Sequence, residues 1–152
     1  MSNTTRLELL EQFRDTPKHL HEAIAGLTVA QLDLPYRNGG WTARQVVHHI
    51  ADSHAHAYLR VKRILTEDHP TLQPYDQDVW SKLPDANGDV APSLAIVDGL
   101  HARWSALMAT LSEDQWNRAA YHPERGEITV HDMLVLYSNH GMNHVAQIKS
   151  IR

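Results

Sequence analysis

The 152-residue sequence contains no cysteine and no long run of apolar residues. Without cysteine the chain can form neither a disulfide nor a thiolate zinc site, and it has no cysteine nucleophile. No segment approaches the ~18 uncharged apolar residues that a transmembrane helix needs. The first residues also lack the basic start and apolar run of a secretory signal. These absences predict a cytoplasmic protein without a membrane span.

A basic excess is also missing, since 14 Lys and Arg residues stand against 18 Asp and Glu residues, for a net charge of −4. The compact basic cluster of Arg60, Lys62 and Arg63 is short, and such a cluster is usually a solvated helix face. The chain has no excess of positive charge to bind a phosphate backbone, so the sequence predicts no nucleic-acid partner. The length predicts a single domain that covers residues 1–152.

Capping boxes are the clearest local signal, because five segments pair a Ser or Thr with an acidic or amide side chain three residues later. They begin at Thr5, Thr28, Thr42, Ser112 and Thr129. Apolar residues spaced by three and four predict four long helices. These cover about residues 5–26, 42–65, 93–111 and 130–151. Pro17 lies inside the first of them, where a proline is expected to kink or break the helix.

Residues 66–92 join the second and third helices and exceed the ~12–15 residues that usually lack structure of their own. Within this connection, residues 74–76 and Trp80 predict a short helix that packs on the rest. Residues 121–128 predict a short hairpin or an ordered loop. Four long helices with one long crossover between the second and third indicate an all-α four-helix bundle.

The strongest bias in the composition is histidine, with 12 residues. His140 and His144 are four residues apart, about 400° of helical rotation and ~6 Å of rise, so their rings project side by side. Both fall in or at the edge of the apolar stripe of the fourth helix, where an unpaired ring nitrogen costs ~1–3 kcal/mol. A shared metal ion would satisfy both rings, and two separately hydrogen-bonded histidines would do so as well.

The second helix offers the adjacent pair His48 and His49, of which His49 lies closer to the apolar stripe. His49 comes seven residues after Thr42, and His144 comes seven residues before Ile151. Antiparallel helices of similar length would therefore bring His49 and His144 to the same level. Three neutral imidazoles with a fourth position open to water are typical of a catalytic rather than a structural zinc site.

Other polar residues could serve the same site. Asp52, one turn after His49, could orient a ligand histidine or its water, or pair with an arginine. His101 lies on the apolar stripe of the third helix beside Trp104 and could carry a proton, contact a substrate or simply pack. His54 points into the apolar stripe of its helix and is predicted to be a satisfied core residue.

Five motifs follow one another along the chain, beginning with GGWTARQVVHHIADSH at residues 39–54. The others are PYD at 74–76 with Trp80, HARW at 101–104, YHP at 121–123 and HGMNHVA at 140–146. In this order and spacing the sequence resembles the DinB/YfiT-like superfamily, and its YfiT branch in particular. The likeness covers nearly the whole chain after residue 17.

This resemblance implies a four-helix bundle in which three histidines hold one divalent ion, commonly zinc or nickel. By motif position the three ligands are His49, His140 and His144. The branch is described as metal-dependent hydrolases, commonly homodimeric, which implies a small-molecule substrate. Some relatives are thiol S-transferases instead, with bacillithiol or a similar small thiol as co-substrate.

A hydrolase of this kind would use the ion to activate water, whereas a transferase would use it to hold a substrate thiol as thiolate. Neither reaction needs a nucleophile from the protein. Asp52 or His101 would relay the proton, Trp80 and Trp104 would wall the pocket, and Arg37 would meet an anionic group. Two non-enzymatic interpretations remain open: a module that senses or stores the ion, and a helical interaction domain whose histidines are only packed.

Overall fold

A computed structural model describes residues 3–151, so both ends of the predicted 1–152 domain lie outside the described residues. The elements follow in the order α1 (Asn3–Ile24), α2 (Val29–Leu32), α3 (Ala43–Thr66), α4 (Gln77–Trp80), a 3₁₀ turn (Pro84–Asn87), α5 (Ala91–Met108), α6 (Glu113–Trp116), β1 (Ala119–His122), β2 (Gly126–Thr129) and α7 (Val130–Lys149). The four long helices α1, α3, α5 and α7 correspond to the four predicted ones. The predicted all-α four-helix bundle is therefore confirmed.

In this bundle α1 and α3 each pack against both α5 and α7. Hydrogen bonds give the direction of the first pair: Arg6 of α1 donates to His131 of α7. Further along both helices, Gln12 donates to Ser138. The two helices therefore run parallel, although one begins the chain and the other closes it.

The helices α3 and α5 are also parallel. His48 contacts Ser93 near the start of both helices, and His54 contacts His101 further along. Parallel neighbours need a long crossover, which here contains the short helix α4 and the 3₁₀ turn. The predicted long connection with a short helix near Trp80 is confirmed.

Four of the five predicted capping boxes form, at Thr28, Thr42, Ser112 and Thr129. The prediction at Thr5 is wrong, because α1 already begins at Asn3 and Thr5 lies within it. Of the kink or break predicted at Pro17, the break is wrong, since α1 continues to Ile24. Packing of α1 between α5 and α7 compensates for the helical hydrogen bond that a proline cannot make.

The apolar core forms two clusters along the bundle. One gathers around Phe13, Trp104 and Leu134, and the other around Ile50 and Val145. Along α7, His140 and His144 fall between the residues of the two clusters, whereas His49 lies within the α3 segment of the second cluster. The packing on either side therefore positions a polar centre inside a largely apolar interior.

The strands β1 and β2 pair antiparallel, with Tyr121 opposite Glu127, which confirms the predicted hairpin. A carbonyl of the crossover joins this hairpin, since Tyr121 donates its backbone N–H to Pro70. The hairpin leads directly into α7 and so fixes where that helix begins. Among residues 3–151, no helix is both long and apolar enough to cross a membrane.

Candidate metal centre

Three histidines from α3 and α7 meet inside the bundle. Nε2 of His140 lies 3.2 Å from Nε2 of His49 and 3.1 Å from Nε2 of His144. One ring nitrogen of each residue lies within 4.8 Å of the other two. His49 is buried, and His140 and His144 are half-buried. The structure thus brings together the three residues that the sequence singled out as ligands.

The arrangement fits one small divalent ion. Imidazole nitrogens bind zinc at ~2.0–2.1 Å, so two of them on one tetrahedral ion lie about 3.3–3.4 Å apart. The observed separations of 3.2 and 3.1 Å are close to this value. Three imidazoles without a thiolate suit ions such as zinc and nickel and leave a fourth position for water or substrate.

The three rings are neutral at physiological pH. Burial, followed by the neighbouring His144 and His140, lowers the pKa of His49 to about 3. Burial, followed by His144 and Arg125, lowers the pKa of His140 to about 3. Burial also lowers the pKa of His144, against the opposing hydrogen bond to Gln147. A neutral imidazole keeps a lone pair for a cation, so the site is ready to bind one without first releasing protons.

Two of the three rings are held in place by neighbours that the sequence did not indicate. Nδ1 of His144 donates to the Oε1 atom of Gln147, 2.7 Å away and one turn later on α7. The ring of Trp41 packs against His49 with the ring centroids 4.6 Å apart. Trp41 directly precedes Thr42, the N-cap of α3, so the start of the helix also positions this contact.

His140 continues into a second pair of histidines. Nε2 of His54 lies 3.1 Å from Nδ1 of His140, and Nδ1 of His54 lies 2.7 Å from Nε2 of His101. Nδ1 of His101 donates to the carbonyl oxygen of Phe13 at 2.9 Å. The prediction that His54 is a satisfied core residue is confirmed, since its ring is fully buried and both nitrogens have partners. Its contact with His140 was missed, because no spacing within α3 indicates which side chain of α7 His54 meets.

Asp52 and Trp80 lie on the other side of His49. Together with Tyr75 they line a cavity of about 10 Å³ that includes His49. Burial raises the pKa of Asp52 and nearby Asp85 raises it further, whereas His48 opposes the change. Within residues 3–151, no hydrogen bond joins Asp52 to a ligand histidine. Asp52 is therefore a neighbour of the site with an unusual affinity for a proton rather than a direct partner of a ligand.

Arg37 and Trp104 occupy other environments. Arg37 is exposed in the loop before α3, where it donates to the Tyr36 hydroxyl at 3.1 Å. Trp104 is fully buried and packs on Phe13 and His54. The structure does not bring Trp104 to a pocket wall, because a side chain without exposed surface offers nothing to a substrate.

A groove of about 480 Å³ reaches His140 from the outside of α7 and includes Asn139, Asn143 and Arg125. Arg125 has no role in the sequence-based prediction, because only the hairpin brings that residue to α7. A larger cavity of about 800 Å³ lies between α1 and α5 and contains none of the site histidines. The smaller groove is therefore the one that adjoins the candidate metal centre.

Comparisons with known proteins agree with this geometry. Residues 12–148 match the family model of the DinB superfamily. YfiT of Bacillus subtilis, whose name assigns it provisionally to the metal-dependent hydrolases, is 45% identical over 144 residues, which cover 93% of this chain and 81% of that protein. A relative from Oceanobacillus iheyensis with a similar name is 41% identical over 144 residues, which cover 95% of this chain and 84% of that protein.

Comparison with solved structures also finds a YfiT protein. A solved structure of Bacillus subtilis YfiT is described as a probable metal-dependent hydrolase with an unusual four-helix bundle topology. It superposes with a TM-score of 0.96 at 42% sequence identity, over 99% of this chain and 87% of that one. In sequence and in fold, this chain belongs to the DinB superfamily and to its YfiT-like members.

Proposed function

We propose that this chain is a metal-dependent hydrolase in which His49, His140 and His144 hold one divalent ion. The observation that carries the proposal is the approach of three Nε2 atoms from two helices, with His140 at 3.2 and 3.1 Å from the other two. The names of the relatives point to the same class of reaction. A divalent ion bound by three imidazoles lowers the pKa of a coordinated water to ~7 and so supplies a nucleophile at neutral pH.

The chain's own residues have separate tasks in this proposal. Gln147 and Trp41 hold two of the ligand rings in place through the contacts described above. Asp52 accepts and returns the proton of the attacking water, a role supported by its raised pKa and by the cavity that it shares with His49. Trp80, 37% exposed and in tilted ring contact with Tyr75, forms a wall for the substrate on the His49 side of the site.

The substrate is a small molecule that enters through the groove beside His140. This groove is lined by Arg125 together with the carboxylates of Glu127 and Asp132, which supports a polar substrate. Arg37 is proposed to meet an anionic group of the substrate from the loop before α3. The proposed ion is zinc or nickel, because imidazole ligands suit both. Homodimer formation, a cytoplasmic location and the alternative thiol transfer remain predictions from the resemblance.

The test measures metal content and turnover on the same samples. Protein from an unsupplemented culture is analysed for metal and assayed with a panel of ester and amide substrates. His49→Ala, His140→Ala and His144→Ala are each expected to lose metal and turnover together. His21→Ala, at an exposed histidine paired with Asp98, is the control and is expected to keep both.

Turnover that persists without metal would contradict the proposed mechanism. Bound metal without hydrolysis of any substrate would favour the alternative of a module that senses or stores the ion. Release of metal by a chelator should abolish turnover of the unaltered chain, and its return should restore it.

A further inference from the structure

His101, His54 and His140 form a line of contacts that begins at a backbone carbonyl of α1 and ends at the candidate metal centre. We call these three residues the histidine line. Two of its members lie wholly inside the bundle, since His54 is 0% exposed and His101 is 1% exposed. A buried polar ring costs free energy unless its nitrogens are hydrogen-bonded, and the contacts of the histidine line provide those partners.

The line begins at Phe13 because of Pro17. In an α-helix the carbonyl of Phe13 would accept the N–H of the residue four positions later, which is Pro17 and has no N–H. A buried carbonyl without its helical partner requires another donor. His101 provides it, with Nδ1 at 2.9 Å from the Phe13 oxygen.

The positions of the protons follow from this first contact. A carbonyl oxygen can only accept, so the proton of His101 is on Nδ1, and Nε2 of a neutral His101 is bare. This bare nitrogen accepts from Nδ1 of His54, whose Nε2 is then bare in turn. The bare Nε2 of His54 in turn accepts the proton on Nδ1 of His140. Nε2 of His140 therefore has no proton, and it is the atom that faces His49 and His144.

Burial disfavours a charged form of these rings, since His54 is 0% exposed and His101 is 1% exposed. Burial lowers the pKa of His101 to about 4, although the Phe13 carbonyl and Asp98 act in the opposite direction. Three neutral rings have three N–H groups in all, and the line has three contacts that need a donor.

We infer that His54 and His101 are positioning residues that, with the carbonyl left open by Pro17, hold His140 in the tautomer whose bare Nε2 binds the ion. The inference rests on the metal site of the proposed function but not on hydrolysis. It also replaces the proton-relay role predicted for His101. The line begins at a carbonyl that cannot take up a proton, and His101 has almost no contact with solvent.

Two substitutions at His101 separate this role from packing. His101→Phe keeps an aromatic ring where His101 stacks on Phe13, with centroids 4.1 Å apart, but cannot accept from His54. His101→Gln places an amide oxygen near the position of Nε2 and can accept that proton. His21→Phe makes the same change at an exposed histidine and serves as the control.

The measurements are histidine ¹⁵N NMR of the metal-free protein and zinc affinity. In the unaltered chain, His54, His101 and His140 are expected to carry the proton on Nδ1. His101→Phe is expected to leave His54 and His140 in mixed tautomers and to weaken zinc binding about 10–100-fold. His101→Gln is expected to recover most of that loss, and His21→Phe to bind zinc like the unaltered chain.

A proton on Nε2 of His140 in the metal-free chain would overturn the inference, whether or not the variants fold. Zinc affinity of His101→Phe equal to that of the unaltered chain would overturn it as well. Expected tautomers and zinc binding without any hydrolysis would support this inference while contradicting the proposed function, so the two can fail separately.

Discussion

Gly141 and Thr16 lie in contact where α7 packs on α1, and a Cβ atom on Gly141 would lie 2.7 Å from Cγ2 of Thr16. The same atom would lie 3.5 Å from Cε1 of His54. Gly141 directly follows the proposed ligand His140. The absence of a side chain here allows the two parallel helices to approach each other at the level of the metal centre.

Gly141→Ala is therefore expected to destabilise the fold. Alanine is intrinsically better than glycine in a helix by ~1 kcal/mol. The overpacking against Thr16 costs ~1–3 kcal/mol in a close-packed core, and we expect it to outweigh that gain. Urea unfolding at neutral pH measures the difference in the free energy of unfolding.

Thr16→Ser provides the matched control, because it removes Cγ2 and keeps the hydroxyl that donates to the Gln12 carbonyl at 2.9 Å. The double variant Gly141→Ala/Thr16→Ser is expected to be more stable than Gly141→Ala alone. A double-mutant cycle gives the coupling between the two positions. If Gly141→Ala unfolds at the same urea concentration as the unaltered chain, the contact does not limit helix approach.

The metal-free protein is expected to lose stability as the pH falls from about 6.5 towards 3. Burial lowers the folded-state pKa of His49 and His140 to about 3, from the ordinary value of 6.5. Between these values the unfolded chain binds more protons, so the free energy of unfolding rises with pH and its full contribution is present above 6.5. Urea unfolding with a chelator, at several pH values across this window, measures the slope.

A variant that removes one of these rings supplies the comparison for the pH series. His49→Phe is expected to show a shallower dependence on pH, because one of the groups with a lowered pKa is gone. Equal slopes for the two proteins would show that protonation of this cluster does not oppose folding.

The helices, and the placement of His140 and His144 side by side, could be predicted from the sequence because both depend on local patterns. A Thr followed three residues later by Gln or Asp fixes the starts of α3 and α7 at Thr42 and Thr129. The spacing of four between His140 and His144 places both rings on one side of α7 whatever surrounds it. The same rule wrongly predicted a helix start at Thr5, because a capping-box pattern can also occur inside a helix that begins earlier.

The remaining parts of the site depend on how the helices pack. His101 meets His54 only because α3 and α5 run parallel, and no spacing within either helix encodes that contact. Arg125 reaches the groove of His140 through the turn of the hairpin. Trp104 shows the converse, since its place on an apolar stripe fits both a pocket wall and a buried core residue. The packing of the helices places Trp104 in the core.

The start of α7 offers a further test of local energetics. The Thr129 hydroxyl accepts the N–H of Asp132 at 3.0 Å, and the Asp132 carboxylate accepts the N–H of Thr129 at 2.9 Å. Thr129→Ala is expected to lower the free energy of unfolding by ~1 kcal/mol, as removal of an N-cap usually does. Thermal unfolding of Thr129→Ala beside Thr129→Ser, which keeps the cap, measures this; equal losses would assign the effect to something other than the hydroxyl.

Pro17→Ala is expected to change stability and metal binding in opposite directions. The alanine N–H can bond to the Phe13 carbonyl, and a proline inside a helix costs up to ~3 kcal/mol relative to alanine, so thermal unfolding is expected at a higher temperature. That N–H also competes with His101 for the carbonyl, so zinc binding is expected to weaken. Lys18→Ala, at the next and exposed position of α1, is the control and should leave zinc binding unchanged. Calorimetric titration with zinc decides the matter: affinity in Pro17→Ala equal to or above that of the unaltered chain would mean that the Phe13 carbonyl does not anchor the histidine line.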